Sequence, residues 1–337
     1  MKKRNLFISL GFILVLAVFI VFYMERKPDI AGKAADAISV SGFKLNTAVK
    51  ITVYDSKDEE MLEEVLKLCD KYERIFSRTR EDSELYQLNH GMLPKEDGWY
   101  ILSDELAELI GQGLYYSELS GGAFDITIEP LSSLWDFHSE EKIVPDAQTL
   151  AEAQRLVGYE KVELRDNRIR FAEEGMGLEL GAIAKGYIAD KMKEYLVTEG
   201  VGSAIIDLGG NVLCVGGRTD GGHFRVGIQK PFAKRSETVE TVEITDQSVV
   251  SSGIYERYFE KDGEFYHHIL NPKDGYPYDN GLTSVTIISE HSVEGDALST
   301  SCFALGLEKG MELIDSLPDV QAVFITKDGE MHFSENF

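Results

Sequence analysis

Leu178-Glu179-Leu180-Gly181-Ala182-Ile183-Ala184-Lys185-Gly186-Tyr187-Ile188-Ala189-Asp190 is a short apolar run that breaks at a glycine and restarts with helical spacing. It reads as a strand, a tight turn and the start of a helix. Amides in the first turn of a helix have no intrahelical acceptor and carry the positive end of the dipole. Ala182 to Lys185 therefore offers phosphate oxygens a cradle with a lysine in it. An ordinary strand-to-helix junction explains the same pattern, so other stretches must decide.

Four of them are polar and glycine-bearing where a core should be apolar. In Gly121 to Leu131 two glycines allow close backbone approach to a ligand and Asp125 ends an apolar approach, although a structural turn fits nearly as well. Ala204 to Asn211 is a buried strand running into Gly209-Gly210, which a bulge or bend would also explain. Tyr266 to Pro277 holds His267 and His268; in an alternating strand one of them faces inward, where a neutral imidazole can accept a proton or simply fill the core. In Gly295 to Phe303, Asp296 and Thr300 share one helical face and both present oxygen. A magnesium ion wants about six oxygens, so a backbone carbonyl, waters and ligand phosphates would have to complete such a site. A plain helix cap is the competing role for Asp296.

The rest of the chain sets the fold class. Val49 to Tyr54 alternates like a half-buried strand, and Asp58 to Phe76 places Met61, Leu62, Val65, Leu66, Cys69 and Tyr72 on one helical face. Ser103 to Leu119 repeats that pattern with Leu106, Leu109, Ile110 and Leu114. Asp220-Gly221-Gly222, Asp262-Gly263 and Asp328-Gly329 each separate two strand-like runs and predict three hairpins. Strands and long helices do not alternate regularly, which predicts an α+β domain and not a doubly wound sheet.

At the N-terminus a basic tetrapeptide precedes an apolar run from Leu6 to Met24, long enough at about 1.5 Å per residue to cross a bilayer. No small-x-small site follows it directly, so an uncleaved signal-anchor over residues 1–27 is expected, with a cleaved signal peptide as the alternative. Residues 28–42 suit a tether and the catalytic domain is expected over 43–337, on the extracytoplasmic side of the cell membrane. The net charge of −24 repels nucleic acid, and any polyphosphate ligand would need local cations or a metal ion. Cys69, Cys214 and Cys302 are odd in number and set in apolar surroundings, as buried thiols are.

Walker, dinucleotide-fingerprint, zinc and serine-hydrolase motifs are all missing. What the chain does contain resembles the ApbE family of FAD:protein FMN transferases, a single α+β domain. The resemblance spans Phe43 to the C-terminus and rests on motifs that occur in order. They are Ala-Phe-Asp-x-Thr-x-x-Pro-Leu at 123–131, Leu-Gly-x-Ile-Ala-Lys-Gly-Tyr at 180–187, and Asp-Leu-Gly-Gly-Asn at 207–211. Ser-Gly-x-Tyr-x-Arg at 252–257 with His-Ile-Leu-Asn-Pro at 268–272, and Asp-Ala-Leu-Ser-Thr at 296–300, complete the set.

The resemblance implies Mg2+ on Asp296, Thr300 and the Ala182 carbonyl. It implies FAD gripped by Ala123, Phe124, Asp125, Glu179, Lys185 and the backbone near His268 and Leu270. Metal and Lys185 would neutralise the pyrophosphate, a threonine hydroxyl of an exported or membrane redox protein would attack the phosphorus on the FMN side, and AMP would leave. His268 is the candidate base, with a carboxylate near the metal as alternative. An FAD pyrophosphatase using water, or a flavin carrier without turnover, are the rival functions. Relatives often carry an aromatic in the flavin pocket near 76–82; this chain has Thr79. No Ser-Gly-Ala-Thr acceptor-like segment is present, so the chain is expected to modify other proteins.

Overall fold

The computed structural model describes residues 37–137, 139 and 141–337, so the expected anchor over residues 1–27 lies outside the described residues. Among the described residues no helix is long and apolar enough to cross a membrane. The folded unit runs from Ile38 to Phe337.

The strands are β1 (Ile38–Lys44), β2 (Thr47–Val53), β3 (Lys95–Glu96), β4 (Trp99–Ile101), β5 (Val162–Arg165), β6 (Arg168–Phe171), β7 (Ser203–Leu208) and β8 (Asn211–Gly216). They continue as β9 (Phe224–Gln229), β10 (Thr238–Ile244), β11 (Ser248–Gly253), β12 (Tyr258–Lys261), β13 (Glu264–His267), β14 (Leu282–Ser289), β15 (Gln321–Thr326) and β16 (Met331–Phe333). Eight of them form one antiparallel sheet in the order β1-β2-β7-β8-β11-β14-β15-β16. With β3-β4-β6-β5 as a second sheet and long helices in separate blocks, the fold is the expected α+β class.

The main sheet is covered on both faces. Helices Glu59–Phe76, Ala184–Thr198 and Ser292–Leu305 pack their apolar stripes on one, with Asp104–Leu119 laid against the first and last of them, joining Ile51, Ile206, Leu213 and Val285 in the largest core. The β9–β10 hairpin covers the other through Phe224, Val226 and Ile244 against Cys214, Ile288 and Val323. All eight positions of β14 are accordingly buried. All three cysteines are free and buried, as expected.

Three expectations change. Strand β1 begins at Ile38, inside the stretch expected to be tether; it is an edge strand that buries Ile38 and Val40 only partly while Ser39, Ser41 and Phe43 face out. Of the three hairpins, those at Asp262-Gly263 and Asp328-Gly329 form. Asp220 to Gly222 instead links strands of different sheets, since β8 pairs with β7 and β11 while β9 pairs with β10. Finally, Leu178 to Leu180 joins no ladder: the Asn89 side chain accepts from Leu178 N–H at 2.8 Å and donates to its carbonyl at 2.9 Å, taking the place of a neighbouring strand.

Candidate functional site

The helix that carries Lys185 begins without a cap of its own, because Ile183 at the cap position has no polar side chain. Its first amides need an acceptor from elsewhere. Asp296, on the helix Ser292–Leu305, supplies it: Oδ2 accepts from Gly186 N–H at 2.9 Å, and the Lys185 ammonium donates to Oδ1 at 3.0 Å and to Oδ2 at 3.3 Å. The cradle at this helix start thus holds one of the protein's own carboxylates. The Asp296 side chain is 4% exposed, and a carboxylate so far from water costs several kcal/mol unless a cation and N–H donors compensate it. Here both do.

The capping is reciprocal. Asp190, on the Lys185 helix, accepts from Ser292 N–H at 2.8 Å and Val293 N–H at 2.9 Å, the first amides of the Asp296 helix. Each helix start is therefore held by a carboxylate of the other. Gly186 makes the crossing possible, because a Cβ there would lie 2.3 Å from the Ser292 carbonyl oxygen. Ser292 Oγ also donates to Asn211 Oδ1 at 2.7 Å, which ties the Asp207 to Asn211 motif to the same crossing.

The Gly186 amide is the one that would close a helical turn onto the Ala182 carbonyl. Donated to Asp296, it leaves that carbonyl without a backbone donor among the described residues. Thr300 Oγ1 lies 3.0 Å from Ser252 Oγ, which is also 2.8 Å from Ser299 Oγ. Among the described residues no cluster of three His, Cys, Asp or Glu side chains could hold a metal ion. The donor set on offer is one buried carboxylate, a free carbonyl and hydroxyls, all hard oxygens, which suits Mg2+ and not zinc or copper.

The two histidines differ. His267 is the inward one, buried, with Nδ1 accepting from Ile269 N–H at 3.3 Å and Nε2 donating to the Tyr278 carbonyl at 2.9 Å. Burial pushes its pKa down to about 4. It is a core residue with both nitrogens used. His268 is half-buried, its Nδ1 lies 3.3 Å from the Arg257 carbonyl, and desolvation followed by the Arg257 charge holds its pKa well below the usual imidazole range. With Nδ1–H assigned as donor to that carbonyl, Nε2 keeps a lone pair. Lys185 is close enough to contribute to the same shift.

The remaining residues line up beside this centre. Glu179 N–H donates to the Ile126 carbonyl at 2.8 Å, which joins the 178–190 stretch to the Ala123 segment. The Glu179 carboxylate is paired with Arg78, whose guanidinium also lies 3.9 Å from Glu129. Ala123 presents its carbonyl to the Tyr278 hydroxyl at 3.0 Å, and Phe124 is buried. Asp125 is buried and already filled: Oδ1 accepts from Thr127 N–H and Oγ1–H, and Oδ2 from Tyr159 N–H at 3.0 Å. Its polar role in this structure is to shape the backbone turn. Leu270 is buried in the satellite core with Leu131 and Trp135. Spacing gave no hint of Arg78, Asp190 or Asn89 as partners; Ser252 was visible only as a member of the 252–257 motif.

On this antiparallel α+β frame two crossed helix starts bring together a lysine, a buried carboxylate and first-turn amides, the kind of polar centre that an anionic ligand can enter. The chain belongs to the ApbE family, whose model matches residues 45–324. It is 37% identical over 300 residues to a protein named FAD:protein FMN transferase from Klebsiella pneumoniae strain 342, covering 88% of this chain and 91% of that one. A protein of the same name from Treponema pallidum strain Nichols is 35% identical over 311 residues, covering 86% and 84%. Among solved structures, the ApbE protein of Thermotoga maritima superposes with a TM-score of 0.81 at 30% identity, covering 89% of this chain and 98% of that one.

Proposed function

We propose that this chain transfers FMN from FAD to a threonine hydroxyl of an acceptor protein and releases AMP. The observation that supports this best is the Lys185–Asp296 pair at the Gly186 amide: a buried anion neutralised by a half-buried ammonium, with the Thr300 hydroxyl one turn along the Asp296 helix. Asp296, Thr300 and the Ala182 carbonyl would hold Mg2+, which supplies Lewis-acid charge at the pyrophosphate. The Lys185 ammonium, on a flexible stem, would bind the phosphate oxygens in exchange for Asp296. Ala123, Phe124, Asp125, Glu179 and Leu270 shape the FAD site.

His268 Nε2 takes the proton from the attacking hydroxyl, and its depressed pKa keeps it in the neutral form that can accept one. The oxygen attacks the phosphorus on the FMN side, the phosphoanhydride bond breaks, and AMP carries away the bonding electrons. His268 is half-buried and can reach water as well, which favours FAD hydrolysis as the second reading. With the N-terminal run as a signal-anchor, the acceptors are exported or membrane redox proteins.

Asp296→Asn keeps the shape and removes the charge. AMP release should fall at least about 100-fold, and a Mg2+-dependent rise in melting temperature shown by the wild type should disappear. Full activity in the variant, together with indifference of the wild type to chelation, would overturn the metal assignment.

A further inference from the structure

The motif that carries Ser252 to Thr300 continues into a surface that the chemistry above does not use. Three residues on, Tyr255 lies 5.8 Å from Phe232, a residue of the β9–β10 loop. Phe232 also meets Tyr258 at 5.8 Å and Phe265 at 5.9 Å, and these last two stack at 4.8 Å. Phe232 is nevertheless 56% exposed and Tyr258 41% exposed. Phe232 has φ of 58°, in the left-handed region that a bulky side chain rarely adopts, so the loop spends conformational energy to present this ring at the surface. The loop itself is well closed, by Lys230 N–H to the Glu237 carbonyl and Glu237 N–H to the Lys234 carbonyl, both at 2.8 Å.

The same loop is basic in a protein of net charge −24: Lys230, Lys234 and Arg235 lie within six residues, all exposed. None of them forms an ion pair among the described residues. Exposed Arg257 follows Tyr255 by two residues and holds His268 through its carbonyl, while Tyr258 is the register partner of His267. The aromatic platform is therefore joined through the Tyr255 to Tyr258 segment to the backbone that holds His268, while the cations sit on the Phe232 loop, where Glu237 is the one acid.

We propose that this surface docks the acceptor: an acidic segment with an apolar residue for the Phe232–Tyr258 platform, seated on Lys234 and Arg235 so that its threonine reaches His268. The proposal rests on the transfer reading above. Aromatic side chains give large contact area at little entropic cost, and local charge complementarity acts within a Debye length of about 10 Å, over which the acidic remainder of the protein is screened.

The probes are two synthetic peptides with a Ser-Gly-Ala-Thr core, one flanked by Asp and Glu and the other by Lys. Binding is read by fluorescence anisotropy and FMN attachment by mass. The wild-type chain should bind the acidic peptide at least about tenfold more tightly and modify it faster. K234E/R235E should lose that preference, and so should Phe232→Gly, which removes the ring at a position where glycine is unstrained. In both, KM for FAD should stay unchanged. Equal binding of both peptides by the wild type, or intact acidic-peptide binding in the variants, would overturn the proposal. A parallel rise in KM for FAD would also overturn it, by assigning the surface to the flavin. An acidic peptide that is bound in the predicted way yet never gains FMN would uphold the docking surface and defeat the transfer reading.

Discussion

His267 and His268 are adjacent in the chain and have opposite uses. His267 is enclosed, both nitrogens are bonded, and its pKa lies at about 4 against an ordinary 6.5. The unfolded chain therefore binds a proton that the folded one refuses throughout the window between those values. Stability contributed by the neutral ring is fully present above pH 6.5 and is lost as pH falls toward 4. Between pH of about 7 and about 4.5 this one residue should remove roughly 2 kcal/mol. His267→Gln should flatten that part of the pH dependence of the urea midpoint, although it starts from lower stability; an unchanged slope would contradict the assignment. The residue types of the site were legible in the sequence, because Lys185, Asp296, Thr300 and His268 sit in motifs with chemistry of their own. Their partners were not: Lys185 meets Asp296 across 111 residues, and no local spacing encodes that.

At the scale of elements, the site depends on two helix starts capping each other. Legibility here followed the range of the interactions. Helices Glu59–Phe76 and Asp104–Leu119 are capped by Asp58 and Ser103, which precede them directly, and both helices were readable. Leu178 to Leu180 reads as a strand because its apolar residues are buried, but its backbone is satisfied by the Asn89 side chain, the Ile126 carbonyl and the following turn, and not by a ladder. β1 was read as tether because small residues hide its alternation. The crossing itself predicts that Gly186→Ala is severe: the added methyl meets the backbone of Ser292, which cannot move without dislodging the Asp190 cap. A loss of about 1–3 kcal/mol of unfolding stability, read as a lower urea midpoint at unchanged slope, should accompany loss of turnover. A variant with both unchanged would show that the two helix starts are not locked.

Across the whole molecule, burial of the main sheet on both faces gives the site a rigid backing, with helices on one side and the β9–β10 hairpin on the other. The loop of that hairpin reaches toward Tyr255 and Tyr258, so one element serves both core and surface. In an acidic chain, Lys185 and Arg78 are local cations, and each is held by a carboxylate of the fold, Asp296 and Glu179. Family membership and fold support flavin transfer, and the proposed chemistry is tested most directly by a balance of products. The full chain is incubated with FAD, Mg2+ and the acidic Ser-Gly-Ala-Thr peptide, and AMP is quantified against FMN attached to the threonine. The predicted result is AMP equal in amount to phosphoester-linked FMN, with both absent in Asp296→Asn. AMP matched by free FMN with an unmodified peptide, or tightly bound FAD with no AMP at all, would contradict it.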